Sequence, residues 1–141
     1  DPLDGWATEH GRQYRLARGS IALLARRFID AGFKCVIDDA IFPDWSETDY
    51  PGWAKELKGL SHRLVVLLPS LDAVLKRDGE RPPPHQVGLK FVKIIHERMI
   101  PWRGRSDIPV IDNSSLSISQ TVEAIEATLT KNVGTEKSDA S

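Results

Sequence analysis

The run Leu64-Val65-Val66-Leu67-Leu68, entered from Arg63 and closed by Pro69-Ser70, has no polar face. A strand of that kind has to be covered on both sides, which is the condition of a central parallel strand with helices packed above and below it. The flanking sequence supplies such helices. Over residues 9–31 the positions Tyr14, Ala17, Ile21, Leu24 and Phe28 step by three or four, the period of one helix face. Gly32 follows as a C-cap candidate. A short apolar run, Phe33-Lys34-Cys35-Val36-Ile37, then reads as a strand and ends in Asp38-Asp39. Residues 40–49, with Pro43, Asp44, Trp45 and Glu47, read as a loop, and 50–58 as a helix that tolerates Pro51 in its first turn before Gly59 stops it.

Beyond the central run, Ser70 is a plausible N-cap for a helix carrying Leu71, Val74 and Leu75. That helix continues into Lys76-Arg77-Asp78-Gly79-Glu80-Arg81 until Pro82-Pro83-Pro84 breaks it. Leu89, Val92, Ile95 and Met99 mark another helix face, Ile108-Pro109-Val110-Ile111 a further strand, and Ile118, Val122, Ile125 and Leu129 the last helix. Residues 132–141 are small and polar and are expected to be a disordered tail. The order α-β-α-β-α-α-β-α predicts an α/β fold, a three-layer α/β/α sandwich around a parallel sheet, spanning 1–131 as one domain. Three strands are few for such a sheet. The chain also begins Asp1-Pro2-Leu3 without methionine, so the first strands are expected upstream of Asp1. Ligands of open parallel sheets sit beyond the carboxyl ends of the strands. Asp38-Asp39, Pro69-Ser70 and Asp112-Asn113-Ser114-Ser115 all fall at such ends and are expected to share one edge.

Composition narrows the function classes. The 141 residues carry 19 Lys+Arg against 20 Asp+Glu, a net charge of −1, which gives no electrostatic case for nucleic acid or an anionic membrane as partner. No apolar run approaches the roughly 18–20 residues of a membrane span, and one cysteine, Cys35, cannot build a disulfide framework. A cytoplasmic location is expected.

Few residues are placed to do chemistry. The pair Asp38-Asp39 fits two readings: carboxylates that hold Mg2+ or orient a hydroxyl, or one carboxylate capping the next turn beside a solvated neighbour. Arg77 and Arg81, four apart, would share a helix face and could clamp a polyphosphate; equally, Lys76 and Arg77 could compensate a helix C-terminus. Arg12, Arg15 and Arg18 form a stripe that is either solvated or faces an acidic partner. His10, His62, His85 and His96 show no metal-ligand spacing, Cys35 reads as core, and no GxSxG supports a hydrolase serine. Trp45, Trp53 and Trp102 are expected to pack the helical flank, with Trp45 near enough to Asp38-Asp39 to line a pocket.

Several pieces in order resemble the carboxyl-terminal three-quarters of a P-loop small-molecule kinase. They are Val36-Ile37-Asp38-Asp39, Trp53-x-x-x-Leu57-x-Gly59, Val65-Val66-Leu67-Leu68-Pro69, Leu75-Lys76-Arg77 with Arg81, Val92-x-x-x-His96, and Val110-Ile111-Asp112-Asn113-Ser114. The likeness is to chloramphenicol phosphotransferase-like and zeta-toxin-like kinases, with gluconate kinase more distant, and it spans about residues 14–129. It implies an ATP- and Mg2+-dependent phosphotransferase acting on a hydroxyl of a small molecule. Asp38 would be the Walker-B-like acid reaching Mg2+ through water, with Asp39 facing the acceptor. Arg77 and Arg81 would belong to a lid over the ATP phosphates. Asn113, Ser114 and Ser115 would lie near the adenine, and Trp45 and Trp53 would border the acceptor. The chain lacks the family's G-x-x-x-x-G-K-[ST] loop, so catalysis is expected only in a protein that also contains that loop. The alternative is a non-catalytic binding module, a degenerate or truncated kinase fold. A response-regulator receiver also carries an acidic pair after a strand, but here no later phosphorylatable aspartate and lysine follow in its order.

Overall fold

The structure is a computed structural model that describes residues 9–43 and 50–131. The chain divides into two compact units, Asp1–His62 and Arg63–Ser141. Among the described residues it is a mixed α/β chain of five α-helices and two short parallel strands, and none of those helices is long and apolar enough to cross a membrane.

In the first unit, α1 (Glu9–Asp30) packs against α2 (Tyr50–Glu56). The end of α1 follows the capping expectation. Gly32 takes φ 88°, its N–H bonds Ile29 O at 2.9 Å and the Phe33 N–H bonds Phe28 O at 2.9 Å. That pair of bonds is the Schellman closure. The usual apolar contact accompanies it, with the Phe28 and Phe33 rings edge-to-face at 5.9 Å.

The buried face of α1 differs from the expected one. Gly11, Arg18, Ala22 and Ala25 are buried, whereas Ile21, Leu24 and Phe28 are exposed and Ala17 is exposed with them. The reason is close approach. The small side chain at position 22 leaves room for the indole of Trp53, which is 3% exposed and clusters with Ala22 and Leu57; Ala25 is buried where Cys35 Sγ comes within 3.7 Å of its carbonyl. Arg18, expected on a surface stripe, is 7% exposed instead. Its guanidinium lies 5.8 Å from the Tyr14 ring centre, where a Cβ on Gly52 would collide with it.

The first expected strand, 33–37, is not a strand: nothing among the described residues pairs with its backbone, and a strand exists only in a ladder. The segment keeps strand-like alternation all the same. Phe33 meets Phe28, Cys35 Sγ lies 3.7 Å from Ala25 O, Ile37 and Ile41 pack on the Ala22–Trp53–Leu57 cluster, and Asp39 bonds Tyr14. The even positions face away, Val36 being 95% exposed. Cys35, expected in the core, is exposed, because the sheet that would cover this segment is absent from the described residues.

In the second unit, β1 (Val66–Leu67) and β2 (Val110–Ile111) pair in parallel, Val66 with Val110 and Leu67 with Ile111. Both ladders are shorter than the expected strands 63–68 and 108–111. Only one face of β1 is covered: Val66 and Leu68 are buried and Leu67 is 40% exposed, against the expectation of burial on both sides. Ser70 caps α3 (Leu71–Gly79) as expected, its side chain accepting the Ala73 N–H. A 3-10 turn at Pro83–His85 leads to α4 (Leu89–Met99), and another at Ile100–Gly104 delivers Trp102 into the core beside the strands. Val92 and Ile108 are buried there too, while Leu89 is exposed. The last helix, α5 (Ile118–Lys131), opens with a capping box. Ser117 Oγ accepts the Gln120 N–H at 3.2 Å and Gln120 Oε1 accepts the Ser117 N–H at 2.9 Å. Its buried face is turned toward Thr121, leaving Ile118 and Val122 exposed.

Candidate functional site

Parallel pairing puts the segments that follow β1 and β2 at one end of the second unit, and those segments are Pro69-Ser70 and Asp112–Ser115. They are joined there by hydrogen bonds. The Ser70 N–H donates to Ser114 Oγ at 2.7 Å. Ser114 in turn donates its hydroxyl to Asp112 Oδ1 and its N–H to the same atom at 2.9 Å. From α3, Arg77 Nη2 donates to Asn113 O at 2.7 Å and to Ser114 O at 3.4 Å. Arg103 reaches Leu68 O at 3.2 Å and Asp112 Oδ2 at 3.7 Å, and His96 Nε2 lies 2.9 Å from Pro69 O. Because a carbonyl only accepts, that nitrogen carries the proton. The Ser114 hydroxyl and N–H, helped by Arg103 and Arg77, hold the Asp112 carboxyl below its ordinary value. Among the described residues the buried Asn113 Oδ1 has no hydrogen-bond partner, and Ser115 is exposed in the same loop.

Arg77 and Arg81 engage different partners. The helix stops at Gly79, and the triproline segment follows. Arg81 lies 3.7 Å from Asp78. Asp78 is itself buried and accepts the N–H groups of Val87 and Gly88 at 2.8 and 2.9 Å, which holds its carboxyl below the usual range. Gln86 closes the turn from the other side, donating to Gly79 O and Arg81 O. The segment expected as a lid is stapled by Asp78 and Gln86, with Arg81 exposed on it.

These carboxylates set an acid limit on the second unit. Lowered folded values mean that Asp78 and Asp112 contribute stability in full above the unfolded carboxyl pKa of about 3.9, and that the contribution is lost as pH falls through the folded values. Melting temperature is expected to stay flat from pH 7 to about 5 and to fall below about 4. In Asp78→Asn/Asp112→Asn that acid slope is shallower; an unchanged slope would show that other groups set it.

In the first unit, Asp39 is exposed but hydrogen-bonded through both carboxylate oxygens. Oδ2 accepts the Tyr14 hydroxyl and, at 2.8 Å, the Trp53 Nε1–H, which is also 3.2 Å from the Tyr14 oxygen; Oδ1 accepts the Ala40 N–H at 2.9 Å. Burial, then the Asp39 carboxylate, pushes the Tyr14 hydroxyl well above its ordinary pKa, so Tyr14 stays a neutral donor. Asp38 is exposed, and no hydrogen bond or ion pair engages it among the described residues. Trp45 lies outside the described residues. Trp53, expected at the border of an acceptor site, is buried as a core residue that also donates to Asp39.

The structure thus joins Arg77 with Asn113 and Ser114, and Asp39 with Trp53, while among the described residues Asp38 and Arg81 bond to neither group. Sequence reasoning missed Tyr14, Asp78, His96 and Arg103 as site-shaping residues. No local signal links Tyr14 to a carboxylate 25 positions away. The Asp-x₈-Val-Gly spacing that lets Asp78 cap the approach to α4 becomes visible only once α3 is known to end at Gly79. Among the described residues no group of three or more His, Cys, Asp or Glu side chains is placed to hold a metal ion. Compared with known protein families, with curated proteins and with solved structures, the chain matches none.

Proposed function

We propose that this chain is part of an ATP- and Mg2+-dependent phosphotransferase, a P-loop-type kinase that phosphorylates a hydroxyl of a small molecule. One observation carries the reading. Residues 36 positions apart, Arg77 and Asn113, meet with Ser114 at the carboxyl end of a parallel strand pair, where ligands of open α/β sheets bind.

The residues fit the implied groups in part. Mg2+ keeps several of its waters and needs few protein ligands, and the exposed Asp38 carboxylate suits such an ion held through water. The loop Asn113–Ser115 suits the adenine side, and Arg77 braces that loop through Nη2, which leaves its other N–H donors for phosphate. The triphosphate finds no cradle of backbone N–H groups among the described residues, so no step is assigned through it. Bound ATP and Mg2+ would supply the transferable phosphoryl group; the chain's own part is positioning and charge neutralisation.

Arg81, exposed and paired only at 3.7 Å with Asp78, is the arginine this reading assigns to the ATP phosphates. In a protein that also contains the G-x-x-x-x-G-K-[ST] loop, Arg81→Ala is expected to lower transfer to a panel of small hydroxyl acceptors by at least about 100-fold, the scale of losing one charge-stabilising donor, with little change in melting temperature. Wild-type turnover in that variant would remove Arg81 from the reaction.

The bonding of Arg77 Nη2 to loop carbonyls and the missing phosphate cradle favour a second reading, a non-catalytic binding module on the same fold. It expects no Mg2+-dependent response to ATP.

A further inference from the structure

Asp38 and Asp39 stand side by side in sequence but not in their surroundings. We infer that Asp39 is a positioning residue, clamped by Tyr14 and Trp53, and that Asp38 alone is the carboxylate that meets ligand. The task given to Asp38 rests on the phosphotransferase reading; the clamp on Asp39 does not.

The argument starts from the alternation of extended backbone, in which successive side chains point to opposite sides. Ile37 and Ile41 pack against the Ala22–Trp53–Leu57 cluster, and Asp39, between them, is drawn toward the same side by its bonds to Tyr14 and Trp53. Val36 and Asp38 occupy the other side; both carboxylates are exposed, so it is direction and bonding that distinguish them. Alternation alone therefore sends the two carboxylates in opposite directions.

Hydrogen bonding then separates their roles. Asp39 takes donors on both oxygens, from α1 through Tyr14, from α2 through Trp53 and from its own chain through Ala40. Trp53 is itself anchored in the core, so the donor cannot follow the carboxylate if it turns. Reaching for a substrate hydroxyl would break bonds that nothing replaces, and leaving the buried indole N–H unpaired is costly. Asp38 has no such commitments among the described residues, and its exposed face admits a hydrated ion. Asp39 fixes the backbone from which Asp38 projects. The expectation that Asp39 faces the acceptor is replaced by this assignment.

The test uses Asp38→Asn, Asp39→Asn and Tyr14→Phe in the full chain, read three ways: melting temperature without ligand, the indole N–H resonance of Trp53, and the part of the ATP-induced thermal shift that requires Mg2+. Asp39→Asn and Tyr14→Phe are expected to lower melting by about 3–5 °C and to move the indole resonance, with effects that do not add in the double variant. Asp38→Asn is expected to leave both unchanged and to abolish the Mg2+-dependent shift, which the conservative Tyr14→Phe retains. If Asp38→Asn moves the indole resonance and Asp39→Asn does not, the clamp is assigned to the wrong residue. A wild-type chain without any Mg2+-dependent shift overturns the task of Asp38 and the phosphotransferase reading together, while the ligand-free measurements still decide the clamp.

Discussion

Trp102→Ala is expected to destabilise the second unit by about 3–5 kcal/mol, the usual cost of emptying a fully buried aromatic site. Trp102 is 1% exposed, the most deeply buried large side chain among the described residues. The 3-10 turn Ile100–Gly104 that presents it has no slack to close the void: the turn ends on an Arg105 N–H bond to Trp102 O, and the Arg105 guanidinium lies 5.6 Å from the indole centre. Domains of this size carry about 5–15 kcal/mol in total, so the loss is a large share of what is present. Urea unfolding checks it: the midpoint falls with the slope unchanged, whereas a midpoint near wild type would mean that Trp102 contributes little.

In the first unit the corresponding change is Trp53→Ala, also expected at about 3–5 kcal/mol, and it has an informative companion. Trp53→Phe keeps a six-membered ring to pack on Ala22 and Leu57 and removes the five-membered ring with the N–H that donates to Asp39. Its expected cost is about 1.5–3 kcal/mol, the scale of one hydrogen bond to a charged group. The gap between the two variants measures what the retained ring contributes. If Phe proves as costly as Ala, the retained ring contributes nothing.

How far the sequence foretold this structure depended on how local each signal was. Gly32 and Ser70 stop and start helices through bonds to residues within five positions, and both do what their types suggest. The strands around Val66 and Val110 are recognisable because short apolar runs bounded by turn residues have few other uses. The buried face of α1 is not, because periodicity weighs apolar size and so picks Ile21, Leu24 and Phe28, whereas the helix is packed where Ala22 and Ala25 permit close approach. Residues 33–37 carry the alternation of a strand, but a ladder belongs to two segments and cannot be read from one.

The candidate site divides the same way. Arg77, Asn113 and Ser114 were singled out from their positions after parallel strands, and they meet. Arg77 and Arg81, read together from their spacing, bond to different groups, Arg77 to the Asn113–Ser114 loop and Arg81 to Asp78, because α3 ends at Gly79 between them. Tyr14 went unnoticed because its hydroxyl acts on Asp39, far along the chain, while its ring reads as one more apolar position on α1.

The central claim is that this chain takes ATP with magnesium. The direct measurement is the melting temperature of the full chain with ATP and Mg2+, with ATP and EDTA, and with Mg2+ alone. The account predicts a rise with ATP and Mg2+ together, of about 2.7 kcal/mol once ligand stands 100-fold above its dissociation constant, and no comparable rise in the other two. A curve that is the same under all three conditions would contradict it and leave the binding-module reading in its place.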